Sequence, residues 1–212
     1  MSGIVRVKIC GIRTPEEALA AVDAGADLLG VNFTKDSPRR VDLRTAEAIC
    51  EAVAGTSVER VALFRDARWE EIDHVLQRVD FERVQFHGDE TEEDVEAVDL
   101  PAIKAIRGAD LEAAQTYPGA ILLLDHPHEG GGQGKAWDWS EAADLIARGH
   151  DVIIAGGLTP ENVAQALGEV GDIPPWGVDV ATGVEGPDYR KDPVRMKAFV
   201  AAVRRWEEGA EK

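Results

Sequence analysis

Short apolar runs alternate along the chain with stretches of helical periodicity. In the first run, residues 5–11, Val5, Val7 and Ile9 alternate with Arg6, Lys8 and Cys10, and Gly11 turns the chain. Strand side chains point to alternate faces, so Val7 and Ile9 share one face while Lys8 and Cys10 share the other. Thr14, Pro15 and Glu17 follow as a helix start: the hydroxyl caps, the proline suits the first turn, and Glu17 completes a capping box. That helix continues over residues 18–24 and Gly25 ends it. The same unit then recurs. Strands are predicted at 28–33, 58–64, 83–87, 102–106, 120–125, 151–155 and 176–180, the one ending at Asp125 being the most apolar. Helices are predicted at about 43–53, 69–79, 109–115, 140–148 and 193–206. Thr91 caps a further short acidic helix, and Thr159-Pro160-Glu161 starts another. Eight strands alternating with eight helices, without a composition break, indicate a parallel (β/α)8 barrel, a single domain over residues 1–212. A doubly wound open sheet is the alternative, but it usually has fewer strands, and no Gly-rich fingerprint follows the first strand.

At 212 residues the chain is long enough for one well-buried core and short for two. It has no run of about 18 apolar residues, so no membrane span is expected. The first strand begins within a few residues of Met1, which leaves no room for a signal peptide. Two cysteines do not make a disulfide framework, and the expected compartment is a reducing cytoplasm. The net charge of −17 argues against a nucleic-acid partner. It also repels phosphorylated ligands, so any phosphate has to be met by local positive charge.

A cysteine at the carboxyl end of a strand stands where such barrels carry their chemistry. With Val7 and Ile9 under the helices, Lys8 and Cys10 face the barrel interior, and the ammonium is expected to favour the thiolate that a base or nucleophile needs. A buried structural cysteine is an equal alternative for Cys10, and the better reading of Cys50 inside a helix. Asp125 ends the sixth strand at the rim, where desolvation is expected to raise its pKa towards an acid's working range. A loop-capping aspartate is the ordinary alternative. In a closed ring the sixth strand lies nearly across the mouth from the first, so an acid and a base would work on different faces of a substrate.

Gly156 and Gly157 after the seventh strand, and Ala181, Thr182 and Gly183 after the eighth, are candidates for holding phosphate. Barrels bind anions in these two loops, and glycine lets the backbone approach closely; two tight turns are the plain alternative. Arg39, Arg40 and Arg107 put cations on loops of the same face, where a guanidinium suits a planar carboxylate. Gln85 and His87 share the inward parity of the fourth strand, and either line a pocket or fill the barrel. The run from Glu129 to Lys135 imitates a P-loop but fails, since Glu129 replaces the required glycine and Ala136 the Ser or Thr. It reads better as a mobile lid over the mouth. A metal reading of His126-Pro127-His128-Glu129 lacks a third ligand.

Lys8-Ile9-Cys10-Gly11, Ser37-Pro38-Arg39, residues 84–90 and Leu123-Leu124-Asp125 form an ordered series with Gly134-Lys135, Trp137-Asp138-Trp139, residues 155–163 and residues 177–185. In that order and over nearly the whole chain, it resembles the phosphoribosylanthranilate isomerase family of tryptophan biosynthesis. The resemblance implies an Amadori rearrangement of a phosphoribosyl amine, with no cofactor and no metal. Asp125 would be the general acid that protonates the ribose ring oxygen, and Cys10 the general base that takes the proton from C2. Arg39 would hold the anthranilate carboxylate, and the loops with Gly156, Gly157, Ala181, Thr182 and Gly183 the phosphate. Lys8, Gln85, His87, Arg107 and Asp179 complete the implied substrate-binding set. The expected partner is a small phosphorylated substrate, and the expected assembly a monomer or weak homodimer. Thr34-Lys35-Asp36, Ala181-Thr182 and residues 188–191 depart from the family pattern. A histidine-pathway phosphoribosyl isomerase is one rival, but such enzymes use paired aspartates, one of them where this chain has Cys10. A barrel without catalysis, serving as a binding partner, is the other; the retained Cys10, Asp125, Arg39 and phosphate loops speak against it.

Overall fold

The computed structural model describes residues 5–126 and 138–210. Eight parallel strands close into a TIM barrel: β1 Arg6–Cys10, β2 Leu28–Asn32, β3 Glu59–Phe64, β4 Arg83–Phe86, β5 Ala102–Arg107, β6 Ile121–Asp125, β7 Val152–Ile154 and β8 Gly177–Val180. The ring is shut by β8 pairing with β1, where Lys8 stands opposite Asp179. The helices are α1 Pro15–Ala24, α2 Leu43–Ala52, α3 Trp69–Leu76, α4 Glu92–Glu96, α5 Leu111–Thr116, α6 Ala142–Ala147, α7 Val163–Val170 and α8 Pro193–Ala210.

The strand alternation separates two apolar layers. Val7, Ile9, Leu29, Val31 and Leu122 pack outward against the helices. Leu28, Val61, Ile103, Leu123 and Ile153 fill the barrel. Trp176 packs under this inner set, with the Arg6 and Arg83 guanidinium groups 4.4 and 5.4 Å from its ring centroid. Arg83 is itself paired with Glu59. Aromatic and paired charge thus fill the amino-terminal end of the ring and leave the opposite mouth for the site.

Two expectations change in detail. Thr14 caps α1 by accepting the Glu17 N–H at 3.2 Å, and Gly25 at φ 90° ends it. The capping box, however, is not closed. The Glu17 carboxylate accepts the N–H of Arg13 at 2.7 Å and of Lys191 at 3.1 Å, tying α1 to the loop before α8. The helix after β7 begins at Val163 rather than at Thr159. Asn162 accepts the Thr159 N–H and donates to the Gly157 carbonyl, which holds the intervening residues in a turn. No described helix is long and apolar enough to cross a membrane.

Candidate active site

On one side of the mouth, β1 presents Lys8 and Cys10 inward. Lys8 is 0% exposed, and its Nζ donates to Asp179 Oδ1 across the β1–β8 pairing at 2.7 Å. Gly30 on β2 makes the room. A Cβ there would lie 2.9 Å from Cys10 Sγ and 3.1 Å from Lys8 Nζ, so the thiol and the ammonium converge on one point. Lys8 does favour the thiolate, as expected, but burial outweighs it. Burial is the largest influence on Cys10 and pushes its pKa up; Lys8 and Lys191 pull it down, Asp179 pushes it up, and the net direction is upward. Lys8 is held as the ammonium: burial works against the charge, but Asp179 and Cys10 together outweigh it and raise its pKa.

Arg39 reaches over Gly11, whose φ of 81° suits glycine and where a Cβ would meet Arg39 Cδ at 2.5 Å. The guanidinium fork is already engaged. Nε and Nη2 donate to Glu185 at 2.6 and 2.8 Å, and Nη2 also to Thr182 Oγ1 at 3.0 Å. Nη1 donates to nothing among the described residues. Glu185, itself buried, also accepts from Lys191 Nζ at 2.7 Å, while that Nζ reaches the Ala181 carbonyl at 3.0 Å. Burial, reinforced by Arg39, pulls the Lys191 pKa down against Glu185 and Cys10. Tyr189 covers Arg39, its ring centroid 5.3 Å from the guanidinium carbon.

The two candidate phosphate loops interlock. Gly156 and Gly157 stand at φ 75° and 78°, and no backbone partner takes their N–H groups among the described residues. A Cβ on Gly183 would lie 1.9 Å from the Leu158 carbonyl oxygen, so only glycine lets the loops after β7 and β8 touch. Arg195 donates to the Gly183 carbonyl at 3.0 Å. Lys191 and Arg195 thus supply, beside these loops, the local positive charge that a chain of net charge −17 needs for an anion.

On the other side Asp125 ends β6, in register with Arg107 on β5. Its Oδ1 accepts the His126 N–H at 2.8 Å and its Oδ2 lies 3.2 Å from His87 Nε2. Gln85, fully buried, turns its Nε2 to His87 Nδ1 at 2.9 Å. The expected rise in the Asp125 pKa is corrected. Burial does push it up, but the His87 hydrogen bond and charge, with the His126 N–H and ring, hold the carboxyl below its ordinary range.

Lys8, Cys10, Arg39, Asp179, Ala181 and Thr182 therefore gather on one side, and Gln85, His87, Arg107 and Asp125 on the other. Arg40 lies exposed, and Cys50 is buried in α2 with its thiol pKa pushed up to about 11 by burial. Among the described residues no three His, Cys, Asp or Glu side chains cluster as metal ligands. The Glu129–Lys135 lid reading and most of the His126–Glu129 segment lie outside the described residues. A groove of about 500 Å³ between α5 and α6, lined by Leu111, Asp144 and Arg148, shares no residue with the mouth. Sequence reasoning missed the roles of Glu185, Lys191 and Arg195. Glu185 did close one of the motifs, but nothing in the spacing shows a carboxylate buried between two cations.

The family model described as N-(5'phosphoribosyl)anthranilate (PRA) isomerase matches residues 7–202. An N-(5'-phosphoribosyl)anthranilate isomerase of Pseudomonas aeruginosa is 46% identical over 208 residues, which cover 94% of this chain and 95% of that protein. The crystal structure of phosphoribosyl anthranilate isomerase from Thermus thermophilus matches at 37% identity with a TM-score of 0.85, over 95% of this chain and 99% of that one. A phosphoribosyl anthranilate isomerase solved with reduced 1-(o-carboxyphenylamino)-1-deoxyribulose 5-phosphate matches at 33% identity and a TM-score of 0.83, over 94% and 98% of the two chains. The chain belongs to the N-(5'-phosphoribosyl)anthranilate isomerase family, and has that isomerase activity in tryptophan biosynthesis.

Proposed function

We propose that the isomerisation runs as an Amadori rearrangement in which Asp125 is the general acid and Cys10 the general base. Asp125 gives its proton to the ribose ring oxygen while the bond from C1 to that oxygen breaks, and the nitrogen lone pair forms the C=N bond of a Schiff base. Cys10 then takes the proton from C2, and the electrons of that C–H bond form the enolamine. Moving the enol proton to C1 completes the ketone. The observation that carries this reading is the placement of the two groups at the carboxyl ends of β1 and β6, with β7 and β8 between them in the ring.

The substrate phosphate fits the loops of Gly156, Gly157, Ala181, Thr182 and Gly183, and Arg39 Nη1, which donates to nothing among the described residues, fits the anthranilate carboxylate. Lys8, Gln85, His87, Arg107 and Asp179 support the two reacting groups from the walls. A small phosphorylated molecule is accordingly the partner, as the bound analogue is in the related structure. We take the chain to be a monomer or weak homodimer; the Thermotoga maritima relative is a dimeric enzyme. Two buried, unpaired cysteines suit a cytoplasmic protein.

The resting protonation states are reversed from those the chemistry uses. Cys10 is pushed towards the thiol and Asp125 towards the carboxylate. The reactive form, thiolate plus carboxyl, holds the same number of protons and is a minor population at every pH. Loss of substrate fluorescence, with substrate generated in place from anthranilate, tests the roles. Cys10→Ala and Asp125→Ala, each shown folded by its thermal melt, are expected to lose roughly a hundredfold or more in kcat. Undiminished turnover by either variant would remove that residue from its role.

A further inference from the structure

An acid that must lose its proton to substrate is served badly by a neighbour able to take that proton first. His87 is such a neighbour, with Nε2 3.2 Å from Asp125 Oδ2. We propose that Gln85 and His87 are positioning residues: the buried Gln85 amide locks His87 as the Nε2–H tautomer, so that His87 only donates to Asp125 and never competes for its proton. The proposal rests on Asp125 being the acid.

A neutral imidazole has one donor and one acceptor nitrogen. Gln85 Nε2 lies 2.9 Å from Nδ1, and an amide N–H aimed there makes Nδ1 the acceptor. The ring proton then sits on Nε2 and points at the carboxylate. In the opposite tautomer a bare Nε2 would face Asp125 and accept its O–H. Gln85 keeps this orientation although its own Oε1 is buried without a partner among the described residues. The contact of Nε2 with Nδ1 is thus the hydrogen bond this amide makes among the described residues.

The surroundings keep the ring in place. The His87 backbone N–H donates to the Phe64 carbonyl at 2.9 Å. Just beyond, Lys104 Nζ donates to the Gly88 carbonyl at 2.6 Å and to Glu90 at 3.0 Å, and Glu90 accepts the Gly88 N–H at 2.9 Å. A Cβ on Gly88 would meet Asp66 Oδ1 at 2.1 Å. This buried Lys104–Glu90 pair takes no part in the acid–base chemistry, and it fixes the turn that follows His87.

The test starts from nitrogen-15 NMR of the histidine rings in the wild-type enzyme, with His87 assigned by the loss of its signal in His87→Gln. A proton on Nε2 and a bare Nδ1 are expected; a proton on Nδ1 would overturn the proposal, whatever the kinetics. Kinetically, His87→Gln keeps a side-chain amide donor for Asp125 and is expected to stay within a few-fold of wild-type kcat. His87→Ala is expected to fall about tenfold or more with little change in KM, as for loss of a hydrogen bond to a charged group. Gln85→Glu puts an acceptor opposite Nδ1, and is expected to move a proton there and to lower kcat likewise. Equal losses in His87→Gln and His87→Ala would mean that the ring carries protons rather than donating a fixed hydrogen bond, and would overturn the lock. An active Asp125→Ala enzyme would instead remove the acid assignment, leaving the NMR result to stand or fall separately.

Discussion

The two sides of the mouth hold their titratable groups by different means. Around Cys10 the neighbours are ion-paired charges, Lys8 with Asp179, and Arg39 and Lys191 sharing Glu185. Around Asp125 they are hydrogen-bond donors in a more open setting, where the His87 side chain is 30% exposed. Lys8 and Lys191 pull the thiol down and Asp179 pushes it up, but burial is the largest influence and Cys10 is pushed up. At Asp125 burial is again the largest single influence, but the hydrogen bonds and charges of His87 and His126 act together, outweigh it and pull the carboxyl down. The sign of a pKa shift follows from the sum of burial and all neighbours, and proximity to one charge alone misjudges it.

Removing the counter-charge on the Cys10 side breaks the comparison most severely. Asp179→Ala leaves Lys8 buried with no carboxylate, and taking away one partner of a buried pair costs about 3–5 kcal/mol. A denaturant melt is expected to show that loss. A cost under about 1 kcal/mol would mean that the pair does not hold Lys8 as the ammonium.

The pH profile of kcat/KM sharpens the same contrast, because it reports the free enzyme. The active form needs the Cys10 thiolate and the Asp125 carboxyl together. As pH falls below the depressed Asp125 pKa, the carboxyl is already saturated while the thiolate fraction drops tenfold per unit. As pH rises above the raised Cys10 pKa, the thiolate is saturated and the carboxyl fraction drops tenfold per unit. Between them the product is constant. With the ordinary values near ~3.9 and ~8.5 as inner bounds, a plateau is expected across neutral pH with its limbs outside them. A limb falling inside either bound would show that the corresponding shift has the opposite sign.

Glu185→Gln is a smaller perturbation. It keeps the shape of the fork's partner but removes the charge shared by Arg39 and Lys191. Charge-assisted pairs are roughly twice as strong as neutral ones, so Arg39 loses aim, and KM is expected to rise about tenfold with kcat nearly kept. An unchanged KM would remove Arg39 from carboxylate binding or Glu185 from placing it.

The sequence carried parity well and partnership poorly. Alternation on the first strand put Lys8 and Cys10 inside, and the strand ends put Asp125 opposite, because both depend only on the two-residue period of a strand. The resemblance pointed to Arg39 and the two glycine loops in the same way, by position. What stayed hidden depends on contacts between distant segments. Arg39 and Glu185 are 146 residues apart and meet because the loop after β8 folds over the loop after β2. The Asn162 turn that delays α7 depends on one side chain choosing backbone groups over the helix. The inverted pKa directions depend on the order of the neighbours' strengths, which spacing does not contain.

The smallest effect belongs to the hairpin that covers Arg39. Glu185 bridges to Lys191 at its base, and its tip places two non-glycine residues in the left-handed region, Asp188 at φ 61° and Tyr189 at φ 59°. Such a conformation costs an L-residue roughly 1 kcal/mol, less for aspartate than for tyrosine. Asp188→Gly relieves it, and loses no side-chain hydrogen bond among the described residues, since what Asp188 gives is its carbonyl, which accepts from Arg13 Nη1 at 2.7 Å. A gain of about 0.5 kcal/mol, near 2 °C in Tm, is expected with unaltered kinetics. Tyr189→Gly relieves more strain but strips the ring from the guanidinium, a contact worth about 0.5–1 kcal/mol where exposed. If the strain serves to hold that ring over Arg39, Tyr189→Gly stabilises the fold while raising KM a few-fold. If KM is unmoved in both variants, Tyr189 only shields the Arg39–Glu185 pair, and the hairpin's backbone is strained for the sake of its base.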